Sequence, residues 1–241
     1  MALIENLKKD ILKLANPKQA TLLQKFFKTG KGEYGEGDIF LGLKVPDIRK
    51  ITKQFSNIQL DELQELLNSK IHEHRLAALL ILVDHYEKHS ERRKEIFDFY
   101  LKNTKYINNW DLVDLSAPSI IGRFIFNTGK SYPVRVSILF KLAESENIWE
   151  RRIAILATYY FIKNNRFDEI LAISKSMLED NHDLIHKAAG WMLREVGKKD
   201  IKVLEEFLRK NYKDMPRTML RYAIERFPED LRQAYLKREV K

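Results

Sequence analysis

Asp114 is the residue of this 241-residue chain whose neighbours most suggest chemistry. Trp110 lies four residues before it, one turn away on the same helical face. The pattern returns later, where Lys187 stands four residues before Trp191. Aromatics interleaved with basic groups are what a nucleic-acid surface uses. Trp149 also falls at helical spacing, and it reads as core. Two histidine pairs, His85/His89 and His182/His186, have the i, i+4 spacing of metal ligands. Neither has the glutamate of an H-E-x-x-H motif or an evident third ligand, so they read as solvated or capping histidines. No metal and no cofactor is expected.

The elements that must hold these residues are helices. Glycine and proline total only 9 and 6 residues, while apolar residues recur at helical spacing. Leu3, Leu7, Ile11 and Leu14 form one such stripe; Leu60, Leu63, Leu66 and Leu67 form another; Ile96, Phe99 and Tyr100 continue it. Asn16-Pro17, Pro46, Pro118, Pro133, Pro216 and Pro228 can each start or bound a helix. A basic residue followed two positions later by alanine recurs at Arg75, Arg152, Lys187 and Arg221. The last three are spaced by 35 and 34 residues, and the first gap, 77, holds two repeats. Asp114 stands midway in that gap, with small Ser116 in the alanine's place. A period of 34–40 residues is the signature of HEAT-like or armadillo-like helical repeats. The expected fold is an all-α solenoid with a concave basic groove, one domain over 1–241. Arg75, Asp114, Arg152, Lys187 and Arg221 would then form a ridge, one carboxylate among four cations. Salt bridging between helices competes with that reading for Arg75, Arg151 and Arg221.

Composition sets the outer limits. The 43 basic against 34 acidic residues give +9, and 55 residues from Lys187 onward hold 15 basic and 9 acidic ones. Such an excess is a prior for a polyanionic partner. The absence of cysteine excludes zinc ribbons, disulfide scaffolds and thiol nucleophiles. No apolar run is long enough for a membrane span, and the N-terminus reads as an amphipathic helix rather than a signal peptide, so the cytoplasm is the expected compartment. Gly30, Gly32 and Gly35 spell a G-x-G-x-x-G. A dinucleotide cradle needs a strand before the loop and a helix immediately after it. Here a helix precedes it and Glu33, Glu36 and Asp38 line it, so that reading is rejected.

Five ordered segments resemble the DNA alkylation repair family, the AlkD-like alkylpurine DNA glycosylases. They are NWDLVDLSAP (109–118), WERRIAIL (149–156), HKAAGWMLRE (186–195), MPRTMLRYA (215–223), and GEGD with FLG (35–42), followed by Pro46 and Arg49. The resemblance covers nearly the whole chain. It implies a HEAT-like-repeat monomer that wraps duplex DNA and hydrolyses the N-glycosidic bond of cationic N3- or N7-alkylated purines without flipping the base. It makes Asp114 the catalytic carboxylate, Trp110 and Trp191 the active-site tryptophans, and Arg152 a phosphate contact. Lys187, Arg75 and Arg221 would add DNA contacts from the ridge. Phe26 takes the place of a tyrosine that reaches the DNA in characterised members. Two other functions stay open: a solenoid that binds branched or damaged DNA without excision, and a protein-interaction scaffold.

Overall fold

The computed structural model describes residues 2–129 and 132–240, and its elements are helices. Prolines punctuate them as expected at all six positions. Pro17 opens α2 (Pro17–Phe26), with Asn16 accepting from Gln19 N at 3.0 Å as its cap. Pro46 and Pro133 fall at the second residue of α3 (Val45–Thr52) and α9 (Tyr132–Ala143), and Pro216 and Pro228 immediately precede α14 (Arg217–Ala223) and α15 (Glu229–Lys237). Pro118 bounds α7 (Trp110–Ala117) by following its last residue. It opens a π turn, Pro118–Gly122, that follows α7 directly and runs into α8. The wider turn leaves room for a ring that would clash with an ordinary α-helical carbonyl.

The chain divides into two compact units, Met1–Ser116 and Ala117–Lys241. The first holds α1 (Ala2–Lys13), α2 (Pro17–Phe26), α3 (Val45–Thr52), α4 (Leu60–Leu67), α5 (His72–Lys88), α6 (Arg93–Lys102) and most of α7 (Trp110–Ala117). The second holds α8 (Arg123–Phe126), α9 (Tyr132–Ala143), α10 (Ile148–Lys163), α11 (Asp168–Ser176), α12 (Asp183–Lys199), α13 (Ile201–Asn211), α14 (Arg217–Ala223) and α15 (Glu229–Lys237).

The repeat register is a structural position. Arg75, Asp114, Arg152, Lys187 and Arg221 each fall at the fourth or fifth residue of their helices, α5, α7, α10, α12 and α14. The small residue two places on is buried every time, at Ala77, Ser116, Ala154, Ala189 and Ala223. In the second unit α10 packs on α12 and α12 on α14. Glycine brings α12 and α14 closer than alanine could: a Cβ on Gly190 would stand 2.4 Å from the Met219 carbonyl oxygen.

Helix α1 corrects one stripe. Its buried residues are Ile4, Leu7 and Ile11, whereas Leu3 and Leu14 are exposed. In α6 the buried phenylalanine is Phe97 rather than Phe99, beside Ile96 and Tyr100.

The front of α5 is the unusual part of the first unit's core. His72, Glu73, His74 and Arg75 are consecutive, polar and buried. Burial of such groups requires partners. Glu73 accepts N–H groups from Leu41, Gly42 and Leu43 at 2.8–3.3 Å. Ser69 Oγ lies 3.0 Å from His74 Nδ1. One parallel bridge, Ile39 to Ile71, docks the glycine-rich loop beside these residues. Gly42 is required there. Its φ is +93°, and a Cβ would lie 2.2 Å from the Asn16 carbonyl oxygen.

Candidate functional site

In the first unit, Asp114 sits half-buried on α7, one turn after Trp110. Ser116 on the same helix is buried, and its hydroxyl lies 2.9 Å from that of Tyr100. Burial, with the nearby Asp114 charge as a smaller contribution, pushes the Tyr100 phenol well above its usual range. Tyr100 therefore stays a neutral hydroxyl beneath the carboxylate's helix.

Trp110 is half-buried because one face of its indole is covered. Phe27 stacks on it with ring centres 5.0 Å apart and planes 12° apart. Phe40 stacks on Phe27 at 4.9 Å and 22°, and His72 on Phe40 at 4.4 Å and 20°. Phe26 stands at the edge of Trp110, 5.9 Å between centres, and is 64% exposed. So the structure brings Phe26 and Trp110 together, as an open aromatic corner built on a closed stack. Each stacked or edge-on pair is worth about 0.5–1.5 kcal/mol beyond its burial. Polar residues beside Trp110 are held inside the unit rather than turned to solvent. Asn109 is buried, with its Oδ1 accepting from Trp110 N at 2.8 Å, and Asp111 is paired with His72.

Arg75 does not join a DNA-facing ridge. It is 3% exposed, with Nη2 2.6 Å from Asp38 Oδ2 and Nη1 donating to the Ser69 carbonyl at 2.8 Å. Its charge is paired inside the unit, with a loop carboxylate rather than across two helices. Asp38 would be raised by burial alone, but hydrogen bonding from His72 and the Arg75 charge hold it below the ordinary carboxylate range. The loop's other carboxylates serve the loop. Glu33 accepts from Gly30 N at 2.9 Å and Glu36 from Gly32 N at 2.8 Å. A phosphate cradle would need those N–H groups free.

In the second unit, Arg152 is also buried, at 5%, and its Nη1 donates to the Leu184 carbonyl at 2.6 Å. It is a fixed cation rather than a surface one, which departs from the exposed ridge. Lys187 is half-buried and lies 2.7 Å from Asp183 across one turn of α12. Trp191 is half-buried, with Tyr159 tilted against it at 6.5 Å. Lys163 lies over that Tyr159 ring at 4.6 Å. Arg221 on α14 is exposed and has no ion pair among the described residues. Trp149 is core. His182 caps α12 by accepting from Leu184 N at 3.1 Å, and His85 donates to the Ser56 carbonyl at 2.6 Å.

His72, Asp111 and Glu73 join the first unit's polar cluster without a motif to mark them, and Asp38 reads in the sequence only as an acid lining the glycine-rich loop. The one local signal for His72 and Glu73 is the polar run of residues 72–75 ahead of the apolar stretch 76–83 of α5.

The model of the DNA alkylation repair enzyme family matches residues 7–227. A solved structure described as a predicted DNA alkylation repair enzyme from Enterococcus faecalis has the same fold. Its TM-score is 0.71 at 18% identity, over 89% of this chain and 97% of that one. Comparison with curated proteins finds no match. The chain belongs to the DNA alkylation repair enzyme family. Among the described residues no helix is long and apolar enough to cross a membrane.

Proposed function

We propose that this protein is an alkylpurine DNA glycosylase, releasing cationic N3- or N7-alkylated purines from duplex DNA as a monomer without a cofactor. The observation that carries the reading is the corner where exposed Phe26 meets half-buried Trp110, itself one helical turn from Asp114.

Alkylation at N3 or N7 puts a positive charge on the purine. When the C1′–N bond breaks, its electron pair goes to the purine and the base leaves neutral, so no general acid is required. The sugar is left with oxocarbenium character. Asp114 stabilises that charge and takes the proton of the water that attacks C1′, as a carboxylate does in glycoside hydrolysis. The products are the free base and an abasic site. Electron-rich aromatic faces hold a cationic base or sugar by about 0.5–2 kcal/mol each. That is the role of Trp110 with Phe26, and of Trp191 in the second unit. Lys187 and Arg221 contact backbone phosphates, and buried Arg152 adds a fixed positive charge to the same unit. Because the base is not extruded, no enclosed base pocket is needed, unlike in most glycosylases.

The test is incubation of methylated duplex DNA with the protein and chromatography of the released bases. Release of 7-methylguanine or 3-methyladenine supports the reading. A protein that binds the duplex in a salt-sensitive way but frees no base would instead be a DNA-binding member of the family. Phe26, which lacks a hydroxyl to reach the DNA, favours that second reading.

A further inference from the structure

His72 is a buried titratable group that the reaction above does not use. Its Nδ1 lies 3.1 Å from Asp38 Oδ2, and its Nε2 lies 2.8 Å from Asp111 Oδ2. A neutral imidazole has one N–H and one lone pair, so it can donate to only one of these carboxylates and must turn a lone pair on the other. The doubly protonated ring donates to both. The charged groups facing it are Asp38 from the glycine-rich loop, Asp111 from the first turn of α7 and Arg75 from its own helix. With the ring protonated, these four charges sum to zero.

The ring is tied to Trp110 by two routes. Asp111 is the next residue along α7, and the Phe40–Phe27 stack runs from the imidazole to the indole. We infer that His72 is a positioning residue, an imidazolium that clamps the first turn of α7 to the glycine-rich loop and so sets the orientation of Trp110 and, one turn on, of Asp114. This rests on the reading that Trp110 and Asp114 act on the lesion. The electrostatics agree with the geometry. Burial, the largest influence, lowers the histidine's pKa, but the charge and hydrogen bond of Asp111 and the hydrogen bond of Asp38 outweigh it, and the pKa is raised to about 9. Loss of the proton would leave the cluster with a net negative charge and one carboxylate facing a lone pair.

The test uses the full chain with 15N-labelled histidine and tryptophan. In the wild type both His72 ring nitrogens are expected to be protonated at about pH 8. The Trp110 indole signal, assigned with Trp110→Phe, is expected to move with the His72 titration. Asp111→Asn keeps an acceptor for Nε2–H but removes the charge, so both midpoints should fall together by about 1–3 units. The alkaline limb of base release should shift by the same amount. A neutral His72 at about pH 8, a Trp110 signal indifferent to its titration, or an unchanged midpoint in Asp111→Asn would each overturn the clamp. The NMR readouts need no base release. Absent excision with coupled signals therefore defeats the glycosylase reading alone, while uncoupled signals with excision intact defeat the clamp alone.

Discussion

Gly190→Ala tests the packing of α12 on α14 in the second unit, and its sign is decided by two opposed effects. Gly190 is buried in the interior of α12, where alanine is intrinsically favoured over glycine by up to about 1 kcal/mol. A Cβ there would lie 2.4 Å from the Met219 carbonyl oxygen and 2.6 Å from Tyr222 Cβ, both on α14. Ordinary contact starts at 3.4 Å, so the helices would have to part by about 1 Å. Backbone cannot rotate aside as a side-chain end can. Met219, Leu220 and Ala223 of α14 are already buried, so parting the helices disturbs their packing too. Overpacking of this kind costs about 1–3 kcal/mol. The close approach should therefore win, with a net loss of about 1–2 kcal/mol, read as a melting temperature lower by about 2–8 °C. Gly197→Ala on the same helix is the control. Its Cβ would meet the Leu204 Cδ2 methyl at 2.4 Å, and that methyl can turn away, so stability should hold or rise. Thermal and urea unfolding followed by circular dichroism give both values. A Gly190→Ala protein as stable as wild type would refute the claim that glycine is needed for this helix contact.

Glu73→Gln removes a carboxylate that gathers three backbone N–H groups of the glycine-rich loop, and should cost about 2–3 kcal/mol in urea unfolding; a loss below about 0.5 would refute the role. Stability should fall on both sides of neutrality. The His72 pKa is raised from 6.5 to about 9, so its contribution is complete below 6.5 and disappears as pH rises through about 9. Burial, with Lys8 and Arg75 nearby, lowers His74 to about 4, so its contribution is present above 6.5 and is lost as pH falls through about 4. Melting curves across pH check both limbs, and Asp111→Asn should pull in only the alkaline one. Arg221→Ala should weaken duplex binding at low salt and reduce the slope of log K against log salt by about 0.9, the share of one phosphate contact; an unchanged slope would remove Arg221 from the interface.

The helical repeat was legible in the sequence because it depends on local spacing. A basic residue and a small one, two apart and recurring at about 35 residues, mark the fourth or fifth position of a helix and its buried neighbour. What that register does not encode is where a side chain's charge goes. Arg75 is buried because Asp38, far back in the loop, meets it, and no periodicity connects the two. The same holds for His72, whose partners lie 34 residues before and 39 after it. Such a network is set by how a loop docks, which sequence spacing does not show. Pro118 illustrates a different limit. Proline marks the end of α7 at Ala117, but the residue type does not say that a π turn rather than a loop follows it. The Trp110–Asp114 pair was readable as one helical face, whereas the Phe27–Phe40–His72 stack behind it required the fold.

Base release from methylated duplex DNA by wild type and by Asp114→Asn tests the central claim most directly. The substitution keeps the shape of the side chain and removes the charge that would face the oxocarbenium. The account predicts free alkylpurine from the wild type and a rate lower by about 10²–10³-fold in the variant, with duplex binding retained. Equal release by the two proteins, or none by the wild type, would contradict it.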